Sequence, residues 1–286
     1  EQVMEEFEAC NLGHVNLAGF VNPDGSWDYQ GLAYAHHLMT RFLIRATFSD
    51  ITDEKSRAVV DRNRRIGVGH LGVASAIAMA GWKFSEIPNG EGDFWKILVG
   101  CKAVVDDTAV GYAHHLRIPV PVKTTTVAPT GTIAKMPGVS EGIHPIFAKY
   151  FNRRIRFSDV DPDQRAQVEQ YRDLGYHTEP CQSAPQTTVV TIPTKDILLD
   201  QVTAIHGPDK AAEVVQSAAD VSLVDMMRFQ AVYQAHYADN AVSFTVNVDP
   251  DEYTPEEVTE AIIALGPQLK GLPLFPEKSF PQVPSD

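Results

Sequence analysis

Lys123-Thr124-Thr125-Thr126-Val127-Ala128, followed at once by Pro129-Thr130-Gly131-Thr132, sets the class of fold. Three threonines and a valine in succession suit a pleated, half-buried surface, so 123–128 reads as a strand. Proline and glycine then break it, and the glycine lets backbone amides converge. Amides and hydroxyls at a helix start make an anion site, because those donors have no intrahelical partner. Pro129, Thr130, Gly131 and Thr132 are therefore candidates for a phosphate cradle, against the plainer reading of a strand-to-helix turn. The loop lacks the lysine of a P-loop.

Outward from this stretch the chain alternates between helical and extended patterns. Upstream, 91–116 reads as a long helix with Phe94, Ile97, Leu98, Cys101, Val104 and Val105 on its apolar face. Helical spacing also covers 28–48, 53–63 and 70–80, the last stopping at Gly81, and a short strand-like run spans 10–17. Downstream, strands are expected near 153–157, 186–192 and 241–248, and helices over 161–174 and 208–237. Thr254-Pro255-Glu256-Glu257 opens one more helix with a capping box, and 267–286 is proline-rich. Strands separated by long helices predict an α/β fold with substantial parallel pairing.

The 286 residues suffice for one large or two small domains, and 44% hydrophobic with 21% charged residues is an ordinary globular balance. A net charge of -13 argues against a nucleic-acid surface, and no apolar run is long enough to span a membrane. No secretory leader is read at the start, although the chain begins with Glu1 rather than methionine. Cys10, Cys101 and Cys181 are too scattered for a disulfide framework or zinc knuckle, which points to a reducing cytoplasm and to small buried thiols. No metal site is expected: His36-His37 and His114-His115 are adjacent pairs, which point to different helix faces. Gly67-Val68-Gly69-His70-Leu71-Gly72 has dinucleotide-fingerprint spacing, but the polar 61–65 before it is no buried strand, so a nicotinamide oxidoreductase ranks low. Arg153-Arg154-Ile155-Arg156 reads as solvated or paired charges.

Several motifs in order resemble the second half of class II, adenosylcobalamin-dependent ribonucleotide reductases, nearest to the ribonucleoside-triphosphate reductases. They are Glu1-Gln2, Glu8-Ala9-Cys10-Asn11-Leu12, Asn63-Arg64-Arg65-Ile66-Gly67-Val68-Gly69, Lys123 to Thr132, Ser140-Glu141-Gly142-Ile143-His144-Pro145, Arg153 to Asp159 and Asp239-Asn240-Ala241-Val242-Ser243. The resemblance implies that 1–286 is the C-terminal half of the catalytic α/β barrel, about five of ten strands with helices outside. It implies adenosylcobalamin as cofactor and a thiyl radical that takes the 3′-hydrogen of a ribonucleotide. Glu1 would accept the 3′-hydroxyl proton, and Cys10 would be one of two thiols that reduce the sugar and close into a disulfide. Residues 129–132 would cradle the substrate phosphates.

In the family's spacing the thiyl cysteine falls two positions before Glu1, and a C-terminal cysteine pair is also missing. The resemblance therefore implies that the chain is an internal piece, needing the missing N-terminal half and an external, thioredoxin-like dithiol reductant. The same chemistry on diphosphates, and a non-catalytic structural or regulatory subunit, are the alternatives.

Overall fold

The computed structural model describes residues 4–276. They form two compact units, one of residues 4–147 with 197–276, the other Ala148–Asp196. In the first, β1 (Asn11–Asn16) and β2 (Ile66–Leu71) pair in parallel, His14 opposite Gly69. The threonine segment 123–128 continues the array: Val68 N–H donates to the Thr124 carbonyl at 2.8 Å and Thr126 N–H to that of Val68 at 3.0 Å. Segment 240–245 follows through Asn240 N–H to the Thr125 carbonyl and Ser243 N–H to the Val127 carbonyl, each 3.0 Å. Val246–Val248 then pairs in parallel with Leu274–Pro276. Five extended segments thus run parallel with helices between them, and the expected α/β half-barrel is borne out.

The helices form where caps and periodicity place them. α1 (Tyr29–Ala46) starts at Asp28, whose carboxylate accepts the Gly31 amide at 2.9 Å, and buries Leu32, His36, Thr40, Leu43 and Ile44. α2 (Glu54–Asn63) is capped by Asp53 and ends at Arg64 in the left-handed region. α3 (Val73–Met79) follows β2 directly, with Gly72 at φ 69° as the joint. α4 (Asp93–Leu116) packs along α1. Its Phe94 and Trp95 join Phe84, Phe229, Tyr233 and Phe244 in the largest apolar cluster.

β2 is buried on both faces, as a central parallel strand is. Alternation sends Ile66 and Val68 to the helices, where they meet Leu43, Ile44, Val105 and Ala109. Gly67 and Gly69 face the other way. A Cβ at Gly67 would stand 2.5 Å from Leu12 Cδ2, and one at Gly69 2.5 Å from His14 Cδ2. Neighbouring side chains already occupy that space, which is why glycine is required.

The second unit is a three-stranded antiparallel sheet, Thr187–Lys195 between Tyr150–Ser158 and His177–Pro180. Helix Pro162–Asp173 covers it, Val168 packing with Phe157 and Val190. Arg154 is ion-paired with Glu179, in keeping with the paired reading of 153–156.

Three expectations need correction. Residues 66–71 are strand, and the helix expected over 70–80 is only Val73–Met79, because the flanking glycines fit between neighbouring side chains. The single helix expected over 208–237 is two, Pro208–Val214 and Leu223–His236, the second restarted by the Ser222 side chain, which accepts the Asp225 amide. No helix follows Thr132; Ile133–Lys135 is a single tight turn. The 129–132 loop therefore has no helix dipole behind it, and any anion affinity there rests on its own amides and hydroxyls. No helix among the described residues is long and apolar enough to cross a membrane.

Candidate active site

Of the two catalytic residues expected from the sequence, Glu1 lies outside the described residues. Cys10 stands one residue before β1 and shares parity with Leu12 and His14, so alternation puts all three on the face lined by Gly67 and Gly69. Its thiol is half-buried, with Asn11 O at 3.8 Å. Burial pushes it up to about 12; Arg65 draws it down and Glu8 opposes that. At neutral pH Cys10 is a protonated thiol, suited to giving up hydrogen rather than to attacking as a thiolate.

An anchored turn holds this thiol. The Glu8 carboxylate, fully buried, accepts from Arg65 Nε at 2.8 Å, from Asn63 Nδ2 at 2.9 Å and from the Glu5 amide at 2.9 Å. Burial alone would raise the Glu8 carboxyl, but Arg65, the Glu5 amide and Asn63 outweigh it and hold it below the ordinary range. Arg65 Nη1 also donates to Asn240 Oδ1 at 3.3 Å, joining the entry of β1 to segment 240–245.

The threonine segment is fastened on its helix side. Thr124 Oγ1 donates to Asp106 or Asp239, at 2.7 and 2.8 Å, and Lys102 Nζ lies 2.6 Å from Asp106 and 3.2 Å from Asp239. Burial would raise Asp239, but the Thr124 amide and hydroxyl together with Lys102 lower it. Beyond this segment Thr130 has φ 54°, an uncommon conformation for a β-branched residue. Its Oγ1 accepts the Gly142 amide at 2.7 Å, which binds the loop to 139–145. His144 Nε2 accepts the Thr245 amide at 2.9 Å, so its Nδ1–H is left for the Glu141 carbonyl at 3.2 Å. Strain held in this way clusters at functional loops.

Gly142 has φ 50°, and a Cβ on it would sit 2.9 Å from the Ala128 carbonyl oxygen. Gly142→Ala is expected to cost about 1–3 kcal/mol, since both the left-handed backbone and the contact oppose it. A urea midpoint indistinguishable from that of the parent chain would show that the loop is not locked in this way.

Cys10 and the 129–132 loop are not in contact. Asn16 pairs with Leu71, and Val68 with Thr125, so the loop leaves the array at the Asn16 end while Cys10 enters at the other. The six steps from Cys10 to Asn16 rise roughly 20 Å at about 3.3 Å each. Between them His14 presents a buried Nε2 without a hydrogen-bond partner among the described residues. Burial pushes the His14 imidazole down to about 4, leaving it neutral at physiological pH. Sequence reading passed over His14; its signal was the alternation through 10–16, visible once a strand is set there.

The glycine fingerprint forms no dinucleotide site. Gly67 and Gly69 lie inside a strand with side chains packed against them, and no loop opens between β2 and α3. Of the histidine pairs, His36 is buried, while His114 and His115 are exposed.

Comparison with known proteins finds relatives along most of the chain. The family described as ribonucleotide reductase, barrel domain, matches residues 1–90 and 122–269. A Mycobacterium phage D29 protein, provisionally named an adenosylcobalamin-dependent ribonucleoside-triphosphate reductase, is 56% identical over 286 residues, 99% of this chain and 41% of that protein. The Lactobacillus gasseri protein named adenosylcobalamin-dependent ribonucleoside-triphosphate reductase is 34% identical over 86% of this chain and 32% of its own length. The crystal structure of a B-12 dependent (class II) ribonucleotide reductase superposes with a TM-score of 0.75 at 27% identity, covering all of this chain and 39% of that one. The chain thus spans about two fifths or less of each of these three relatives.

Proposed function

The chain belongs to the ribonucleotide reductase barrel-domain family, and from that membership we propose that it is the second half of the catalytic barrel of an adenosylcobalamin-dependent ribonucleoside-triphosphate reductase. The observation that carries the reading is the alignment of Cys10, Leu12 and His14 on one glycine-lined face, with the 129–132 loop at its far end. A ribonucleotide lies along that face with its phosphates at the loop and its ribose turned back toward Cys10. Thr130, Gly131 and Thr132 offer amides and hydroxyls to the phosphates, with the carbonyl end of Pro129 setting the turn. Glu1 takes the 3′-hydroxyl proton, and the 2′-hydroxyl leaves as water. Cys10 and a second thiol supply two electrons and two protons and are left as a disulfide, which an external dithiol reduces.

Adenosylcobalamin enters this reading through the names of the relatives, as the source of the radical. The residues on the glycine face do not form its seat. Leu12, His14 and Thr126 fill the space over Gly67 and Gly69, so no cradle for a corrinoid opens there. The steps assigned to this chain run only through its own thiol, carboxylate, amides and hydroxyls.

The remaining barrel is proposed to come from a partnering N-terminal half. In support, β1 pairs with β2 on one side and has no strand on its other edge among the described residues, and Leu12 is 40% exposed. Unpaired edges recruit further strands. The test is to purify the chain alone and together with a polypeptide carrying the N-terminal half. Deoxynucleotide formation is then followed with adenosylcobalamin, a dithiol and either ribonucleoside triphosphate or diphosphate. Activity is expected only in the pair and preferentially on triphosphate; full activity of the isolated chain would overturn the need for the second half.

A further inference from the structure

Behind the strand array, on the side away from the glycine face, three soft donors meet. His36 of α1, His70 of β2 and Cys101 of α4 are 0%, 0% and 4% exposed, and their ligand atoms all lie within 4.8 Å of one another. The reading of Cys101 as a lone small hydrophobe, and of His36 as half of an adjacent pair, separated residues that the fold brings together. We propose that His36 Nε2, His70 Nε2 and Cys101 Sγ form a buried site for a zinc-class divalent metal ion, with the fourth position open.

The groups that would orient these ligands are already in place. His36 Nδ1 donates to the Leu32 carbonyl at 2.8 Å, which turns the lone pair of Nε2 toward His70 and Cys101. His70 Nδ1 is hydrogen-bonded to the Tyr233 hydroxyl, and the Tyr237 ring lies 4.1 Å from the His70 ring. Two imidazoles and a thiolate are a zinc or cobalt donor set, and ligating histidines are usually held through the other ring nitrogen, as here. Access is also present. Cys101 and Leu32 line a cavity of about 330 Å³ between α1 and α4, with Tyr29, Asp93 and Lys96 at its rim.

Without metal the same groups make a neutral hydrogen-bond chain. The carbonyl of Leu32 fixes the proton of His36 on Nδ1, so His70 Nε2–H donates to His36 Nε2 across 2.8 Å and the Tyr233 hydroxyl donates to His70 Nδ1. Metal at about 2.0–2.1 Å from each nitrogen and about 2.3 Å from sulfur needs the two nitrogens roughly 3.3 Å apart. The opening required is about half an ångström. On binding, the His70 proton moves to Nδ1 and donates to Tyr233, and Cys101 releases its thiol proton to solvent. One proton per ion is therefore expelled, and the bound ion joins α1, β2 and α4.

The test uses the 286-residue chain with Co²⁺ as a visible probe, then Zn²⁺. Expected are one Co²⁺ per chain, a near-ultraviolet sulfur-to-cobalt charge-transfer band, tetrahedral visible bands and displacement of all three by Zn²⁺. Thermal unfolding should shift upward with Zn²⁺, because an ion bound only by the folded state stabilises it. Cys101→Ser should remove the charge-transfer band, while Cys10→Ser and Cys181→Ser keep it. Should Cys101→Ser fail to fold, the zinc absorption edge of the parent chain reads the same point, one sulfur and two imidazole nitrogens. Absence of stoichiometric cobalt, or a zinc shell without sulfur, overturns the proposal and leaves the cluster as a buried hydrogen-bond chain.

Discussion

If the proposed pairing with an N-terminal half and the proposed role of Cys10 hold, Cys10→Ser in that assembly is expected to abolish multiple-turnover reduction, lowering the steady-state rate by about 10³-fold or more while leaving the fold intact. In the proposed mechanism each turnover withdraws two electrons from a thiol pair, and a serine hydroxyl cannot enter a disulfide, so no neighbouring group replaces it. A loss of that size corresponds to about 4 kcal/mol in the barrier. The structural cost is small, because serine is close in size and the hydrogen bond given for the thiol is a long one, 3.8 Å to Asn11 O. Unchanged turnover would leave the non-catalytic subunit as the better reading. Thiol reactivity gives an independent check. Hydrogen bonding to Ser183 lowers the Cys181 thiol, whereas burial raises Cys10 and Cys101 to about 12. Iodoacetamide at pH 8 should therefore modify Cys181 first. Because the folded-state values of Cys10 and Cys101 lie above the ordinary value of 9.0, their contribution to stability is intact below that pH. It is lost as pH rises toward 12, since the unfolded chain ionises first.

Much of the architecture was legible because local chemistry and tertiary environment agreed. Asp28, Asp53, Asp161 and Thr254 each cap the helix that the sequence pattern announces, and the side chain of each accepts an amide in the structure. The misreading of 66–71 has one cause, that a strand buried on both faces has no alternation to display. Ile66-Gly67-Val68-Gly69-His70-Leu71 looks like a glycine loop entering a helix, and only Leu12, His14 and Thr126 packed on the glycines explain it as strand. The 129–132 loop was found as a strand exit, but the helix expected behind it depended on 133–138, where Pro137 and Gly138 stop propagation after one turn. Contacts between distant parts of the chain, such as His36 with His70, leave no mark in local spacing. Cys10 is a candidate only through family resemblance, since nothing local distinguishes it from a small buried residue.

Arg65→Met should carry the largest loss of stability among single changes near Cys10, about 3–5 kcal/mol at neutral pH. The Glu8 side chain is 0% exposed and that of Arg65 11%, so removing the guanidinium leaves a carboxylate shielded from water with only Asn63 and the Glu5 amide for company. Surface pairs such as Lys96 with Asp93 hold no comparable stake, because water replaces the lost partner. The pH dependence fixes the mechanism. In the parent chain Glu8 is depressed below its ordinary 4.5, so its contribution is present above that value and fades as pH falls through the folded-state value. In Arg65→Met the carboxyl has lost its main support and protonates more readily, so the gap between the two proteins should narrow from pH 7 toward pH 4. Trp27, Trp82 and Trp95 all belong to the first unit, so tryptophan fluorescence during urea unfolding reports on the unit that contains the pair. Glu8→Gln combined with Arg65→Met should recover part of the loss, because a neutral amide is cheaper to bury unpaired than a carboxylate. A difference under about 1 kcal/mol at pH 7, or one that does not shrink in acid, would mean that Glu8 is relieved by water and that the turn before β1 is held by other contacts. Full stability loss with the expected pH slope would instead tie the position of Cys10 to a buried charge two residues upstream, with Arg65 linking that charge to Asn240 across the array.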